Sequence, residues 1–333
     1  MSVATLMDGV MARTQFLPDA EVGVTTYAPG DDEREEVLTF LAERPVHAVC
    51  MAGLIRDNGV ESEHNRGTFY ACRNEQGRLE GVALVGHATL VEARTRRAYR
   101  EFALAAQCSA RKHLIMGESD AVEEFWNHYA DEGQRMRRAC RELLFELTRP
   151  VEDARGAEGL RLATAEDLDL VVPVHAGLAE AESGLNPLDV DAEGFRARCL
   201  RRIEQGRVWV VVSKDGRLLF KADVQAETPE VVYLEGVYVH PTERGTGAGR
   251  RCLKHLGREL LLRARAASAS SSTRRTSAPT PSTAPAASAC APSTTRSSCG
   301  WIKLRPQTLG RLQLLFDQAP RKAPPRSKQA PRR

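Results

Sequence analysis

Residues 231–262, VVYLEGVYVHPTERGTGAGRRCLKHLGRELLL, leave the chain few ways to fold. The apolar run 231–239 reads as a strand that breaks at His240-Pro241. The chain then passes through Arg244, Gly245, Thr246, Gly247, Ala248, Gly249 and Arg250 into a helix with Leu253, Leu256 and Leu260 on one face. Strand, glycine-rich turn and helix start together make an anion cradle. Glycine lets the backbone come close to a phosphate, and the first N–H groups of a helix have no intrahelical acceptor. Two common nucleotide loops are excluded. A Walker loop ends in Gly-Lys-Ser/Thr, and a dinucleotide fingerprint needs a third glycine where Cys252 stands. A turn that merely closes a strand is the plain alternative; the Val-x-Pro lead-in and the amphipathic helix favour the phosphate ligand.

The spacing Arg-x-x-Gly-x-Gly, from Arg244 to Gly249, resembles the acetyl-CoA pyrophosphate loop of the GNAT acetyltransferases. The resemblance extends over residues 35–262, is most specific at 207–256, and is similar to a bacterial subgroup that pairs such a domain with a divergent N-terminal one. It implies an α/β chain of mixed α+β character, with two GNAT-like domains in tandem whose mostly antiparallel sheets are flanked by helices. It also implies acetyl-CoA as co-substrate and a primary amine, on a small molecule or a protein, as acceptor.

The rest of the chain fits that division. At 333 residues, two domains are expected. Residues 1–30 show no period and read as an irregular lead-in. Residues 31–150 read as a divergent GNAT-like domain: a capped helix, a break at Pro45, a second helix, a hairpin turning at Asn74-Glu75-Gln76-Gly77, then strand, helix and strand. Gly117-Glu118-Ser119 stands where a phosphate loop would be, but lacks the glycine spacing and adds an acid, so no acyl-CoA site is expected there. The acetyltransferase domain is expected over 159–262. It opens with a strand at 160–164 and a capped helix, continues through further helices, and supplies three antiparallel strands, the first two joined at Asp215-Gly216.

Charge divides the chain sharply. Residues 263–333 hold 14 Lys and Arg against the single acid Asp317, a net +13, while the first 262 residues carry 33 basic and 43 acidic side chains, a net −10. The basic character belongs to the tail, whose Ser/Ala/Pro/Thr composition reads as disordered. Its few aromatics, Trp301 and Phe316, suit only salt-sensitive, unspecific contact with nucleic acid. The tail has a second reading. With codons shifted by one base, residues 267–288 can spell a Val-Leu-Val strand followed by Asn-x-x-Asn-x-x-Ala-x-x-Phe-Tyr-x-x-x-Gly-Phe. By the resemblance, these are the strand and helix that complete the domain and carry its general-acid tyrosine, whose place Thr283 takes here. On that reading the tail is out of frame, the domain is incomplete, and its cradle strand gains an unpaired edge.

No run approaches about 18 apolar residues and no basic-then-apolar leader is visible, so a cytoplasmic protein without a membrane partner is expected. Eight cysteines at 50, 72, 108, 140, 199, 252, 290 and 299 include no Cys-x-x-Cys pair, and nothing spaces metal ligands or a Ser/His/Asp triad.

Acetyl transfer to an amine requires a polarised thioester, a neutral amine and a proton for the departing thiolate. The resemblance assigns the pantetheine contacts to backbone groups of Val237, Tyr238 and Val239, and the pyrophosphate to N–H groups of residues 245–250, with added charge from Arg244 and Arg250. Glu235 is the candidate base, because Gly236 beside it suits a bulge that re-aims a side chain; substrate-amine binding or plain exposure are its other readings. Tyr238 alternates with Val237 and Val239, which leaves a core or sheet-face role as open as a catalytic one. His175 and His240 read as helix-surface and turn residues. The competing function is a non-catalytic acyl-CoA-binding or regulatory protein.

Overall fold

The computed structural model describes residues 24–109, 114–130, 133–147, 156–272 and 305–316. The chain forms two compact units, Met1–Leu143 with Thr308–Arg333, and Leu144–Gln307.

The first unit is built on β1 (Val24–Tyr27), α1 (Arg34–Ala42), α2 (Pro45–Asn58), β2 (Gly67–Asn74), β3 (Leu79–Gly86), β4 (Ala88–Ala93), α3 (Arg96–Cys108), β5 (Leu114–Glu118), α4 (Ser119–Tyr129) and β6 (Met136–Glu146). With β11 (Arg305–Phe316) these strands form a seven-stranded sheet ordered β1-β2-β3-β4-β5-β11-β6. Every residue of β3 is buried, because helices cover both faces of the sheet. Val82 and Leu84 face Val37, Leu41, Met51 and Ile55 of α1 and α2. Ala83 and Val85 face Tyr99, Phe102, Phe125 and Tyr129 of α3 and α4. The hairpin expected at Asn74–Gly77 is present, with Gly77 at φ 77°, and Pro45 opens α2 in its first turn, where its missing N–H costs nothing.

Three features depart from the sequence reading. The lead-in contains β1, paired antiparallel with β2 through Val24↔Asn74 to Tyr27↔Ala71. The apolar run after the hairpin is not one strand but two, β3 and β4, which pair antiparallel about His87. Helix α3 was not expected. Its Thr95 cap accepts from the Ala98 amide at 3.3 Å, and its buried Ala98, Tyr99, Phe102, Ala103 and Ala106 recur at helical spacing.

The second unit contains β7 (Arg161–Leu162), α5 (Leu168–Ser183), α6 (Pro187–Glu204), β8 (Val208–Val212), β9 (Leu218–Glu227), β10 (Val232–Val239) and α7 (Ala248–Ser272). The four strands make an antiparallel sheet ordered β10-β9-β8-β7. Period-two alternation sends Val208 and Val210 towards α5 and α6. Trp209, Phe220, Ala222 and Val224 go towards Cys252, Leu256 and Leu260 of α7. Leu256 is fully buried. Leu256→Ala should therefore cost about 3 kcal/mol, or about 10 °C in melting temperature for a unit of this size. A loss under about 2 °C would mean that α7 does not seal this face.

The opening of this unit is held by a buried acid. Asp167 accepts from Arg161 at 2.6 and 2.8 Å and from the Thr164 amide at 2.8 Å. The Arg161 guanidinium is the main cause holding the Asp167 carboxyl down at about 2. Because the folded value lies below an unfolded value of about 3.9, the stabilisation is present above about pH 4 and is lost as pH falls towards 2. Wild type should lose stability over that window more steeply than Arg161→Ala, by about 1 kcal/mol after solvent screening of the half-exposed arginine. Parallel pH curves would show that the pair contributes nothing.

Beyond Leu262 the chain differs from the expected tail in two places. Helix α7 runs on to Ser272, since RARAASASSS offers alanine and no breaker. Residues Arg305–Phe316 form β11, paired antiparallel with β5 from Arg311↔Glu118 to Leu315↔Leu114. Residues 273–304 and 317–333 lie outside the described residues, and with them most of the expected disorder and of the shifted reading frame.

Candidate acyl-CoA site

The apolar strand and the glycine turn meet as their local chemistry demands. β10 ends at Val239; His240 Nδ1 accepts from the Thr242 amide at 3.3 Å, capping the single 3-10 turn Pro241–Glu243 as a turn histidine should. Gly245 and Gly247 then take φ values of 78° and 81°, a region costly for any residue with a Cβ. A Cβ on Gly249 would lie 2.7 Å from Val239 Cγ2, so glycine is what allows α7 to start hard against β10. Nothing stands within 4 Å of the Cβ position of Gly245, which leaves that side of the turn open.

Hydrogen bonds within the turn leave an unfilled patch of donors. Thr246 Oγ1 takes the Ala248 amide at 3.3 Å, and the Arg251 amide donates to Gly247 O at 3.0 Å. Among the described residues, no acceptor stands against the amides of Gly245, Gly247, Gly249 and Arg250. The exposed Arg244 folds back, its Nε donating to Val239 O at 3.1 Å, and Arg250 is exposed beside the helix start. Arg251 was not singled out from sequence, yet its Nη1 donates to Thr246 O at 3.2 Å and lies 3.4 Å from the Cβ position of Gly247. Aligned amides, the positive helix end and these arginines suit a diphosphate.

The bulge at Gly236 is present and rearranges the strand. Glu235 pairs with Asp223 and Tyr238 with Lys221, so three steps along β10 match two along β9. Gly236 takes φ 62° at the extra residue. Residues directly opposite in an antiparallel pair share a face, so Glu235, Tyr238, Lys221 and Asp223 stand together on the face that Val208 and Val210 present to α5 and α6. Tyr238 lies on the face of Glu235, because the inserted residue reverses the period. Val239 faces α7, Val237 is 40% exposed at the bulge, and Glu235 and Tyr238 are half-buried. Among the described residues, β10 pairs only with β9 and forms the end of its sheet.

Several residues of this face carried no signal in the sequence. The Lys221 and Asp223 side chains are 0% and 3% exposed and pair at 2.6 Å. His175, expected on a helix surface, instead turns inward: its Nδ1 lies 3.7 Å from Cys199 Sγ and 4.0 Å from Asp223 Oδ2. Burial first, and the Lys221 ammonium second, push its pKa down to about 4, so it is neutral at pH 7. Arg202 of α6 donates to Gln225 Oε1 at 2.5 Å and to Val224 O at 3.1 Å. Among the described residues there is no metal-ligand cluster, and no helix is long and apolar enough to cross a membrane.

In the first unit, β5 runs directly into α4 at Gly117-Glu118-Ser119 without an intervening loop. The Glu118 carboxylate stands at that helix start and accepts from Arg44 at 2.5 Å. Arg44 also holds Glu92 at 2.8 Å, whose carboxyl is pushed above its usual range mainly by burial.

Residues 178–270 match the family described as Acetyltransferase (GNAT) family, a span that contains α6, the strands β8 to β10, the glycine turn and most of α7. Phosphinothricin N-acetyltransferase of Alcaligenes faecalis is 29% identical over 108 residues; the similarity covers 31% of this chain and 55% of that protein, so about half the length of that relative is spanned. Among solved structures, a GNAT-family acetyltransferase from Colwellia psychrerythraea is 12% identical with a TM-score of 0.44, covering 73% of this chain and 87% of its own. A GCN5-related N-acetyltransferase from Sphaerobacter thermophilus is 14% identical with a TM-score of 0.39, covering 69% and 80%. The family match falls on the same strand, turn and helix whose geometry leaves four amides without an acceptor among the described residues, and residues 178–270 of this chain are therefore similar to the acetyltransferases of the GNAT family.

Proposed function

We propose that this protein transfers the acetyl group of acetyl-CoA to a primary amine. The observation that carries the reading is the open set of amides from Gly245 to Arg250, at a helix start adjoining a bulged strand. Those amides, with Arg244 and Arg250, would hold the pyrophosphate, and backbone groups of Val237, Tyr238 and Val239 the pantetheine arm. Acetyl-CoA supplies an activated thioester. The amine nitrogen forms a bond to its carbonyl carbon, the carbon–sulfur bond breaks, and the thiolate takes a proton from solvent water, to which Glu235 later returns the amine's proton. Glu235 receives the proton the amine sheds, directly or through one water. In the first unit, the Glu118 carboxylate would repel a second pyrophosphate, which supports a structural or substrate-side role for that unit.

Isothermal titration of the whole chain with CoA and acetyl-CoA tests the binding half of this proposal. Release of CoA thiol in a panel of small primary amines, phosphinothricin among them, tests the transfer half. Saturable binding and amine-dependent thiol release are expected. Binding without release for any amine would favour the second reading, a non-catalytic acyl-CoA-binding protein, which the end position of β10 among the described strands supports. Absence of binding would defeat both.

A further inference from the structure

The Lys221–Asp223 pair is an expensive thing to place in a core. Both charges are removed from water, and two apolar side chains of similar size would pack there at least as well. Asp223 Oδ1 is also buried without a hydrogen-bond partner, so the pair is not optimised for its own stability. What it does touch is the bulge. Lys221 Nζ lies 3.4 Å from the Gly236 carbonyl oxygen as well as 2.6 Å from Asp223 Oδ2. A Cβ on Gly236 would come within 2.8 Å of Asp223 Oδ2 and 3.2 Å of Lys221 Nζ.

We propose that Lys221 and Asp223 are positioning residues that hold the Gly236 bulge, and through it keep Glu235 and Tyr238 side by side for acetyl transfer. This rests on the reading of β10 and its turn as an acetyltransferase site. The ammonium donates to the Gly236 carbonyl and turns that peptide towards the α5/α6 face, while Asp223 supplies the counter-charge beside it. The unpartnered Asp223 oxygen is the cost of fitting the carboxylate under a strand that must stay bulged. Without the pair, β10 can slip to plain pairing with β9. That slip would exchange Tyr238 for Val237 on the face of Glu235. His175, Cys199 and Arg202 close the site from α5 and α6 and remain in place in either register.

The test is the double variant Lys221→Met/Asp223→Leu, which replaces the ion pair by apolar side chains of similar length. Its melting temperature should stay within a few degrees of wild type. Its affinity for CoA should stay within about threefold, since the turn at 244–250 is untouched. The kcat for thiol release from acetyl-CoA, with the amine turned over fastest, should fall at least about tenfold at nearly unchanged KM for acetyl-CoA. Gly236→Ala, which keeps the pair but drives a methyl into it, should show the same split between kcat and KM. Hydrogen exchange over residues 232–239 reads the bulge without any ligand, and should speed up by about tenfold in the double variant while β8 keeps its protection. A double variant with kcat within about twofold of wild type, or with unaltered exchange in β10, overturns the proposal. If the double variant fails to fold, a fully active Gly236→Ala overturns it. Failure of wild type to bind CoA defeats the acetyltransferase reading instead, and leaves the exchange measurement to decide whether the pair anchors the bulge.

Discussion

Gly247→Glu is expected to weaken CoA and acetyl-CoA binding about 100-fold in titration calorimetry, with the fold retained. Gly247 sits at φ 81°, where any side chain costs about 1–2 kcal/mol. The new carboxylate also stands among the open amides of Gly245, Gly249 and Arg250, where a diphosphate would otherwise be held. Screened repulsion there adds about 1–2 kcal/mol, and the sum of about 3 kcal/mol corresponds to about two decades in affinity. Gly245→Ala separates the two contributions. Its φ is 78°, but nothing lies within 4 Å of the added methyl, so only the conformational cost applies and the loss should be about tenfold. Equal affinity in Gly247→Glu and wild type would remove the turn from the binding site.

The second large effect belongs to Glu235. Glu235→Gln keeps the size and the cross-strand position opposite Asp223 but cannot accept a proton. If Glu235 is the base, kcat for transfer should fall about 100-fold or more, and the acid limb of the profile of kcat/KM against pH should disappear. CoA affinity should remain within about twofold, because the open amides of Gly245, Gly247, Gly249 and Arg250 lie beyond the bulge. A reduced rate with an unchanged pH profile would assign Glu235 to holding the acceptor amine instead. The two variants answer separate questions, since one reads the anion cradle and the other the proton.

The parts of this molecule legible in its sequence are those set within a few residues of themselves. The glycines at 245 and 247 are there because the backbone must turn through positive φ, and such a need is local. Leu253, Leu256 and Leu260 declare a helix by spacing alone, and the turns at Gly77 and Gly216 announce their hairpins the same way. Helix α3 carries the same kind of local signal, in its Thr95 cap and the period of Ala98, Tyr99, Phe102 and Ala106. Even the bulge at Gly236 was foreseeable, as a glycine inside an apolar strand.

What only the tertiary structure decided is which side chains the bulge brings together. Side-chain direction in a strand has a period of two, so one inserted residue reverses every face beyond it, and the count depends on the partner strand rather than on the strand itself. That is why Tyr238 stands beside Glu235, and why Lys221 and Asp223, an ordinary pair of charges in the sequence FKADVQ, lie buried beneath them. For the same reason β11 could not be foreseen: residues 305–316 become a strand by pairing with β5, about 190 positions earlier. The sequence by itself determined the strand, the glycine turn and the helix over 231–262, because each is dictated by its own dihedral angles and periodicity. The set of groups that faces the cradle strand was decided by register between strands, which no local propensity encodes.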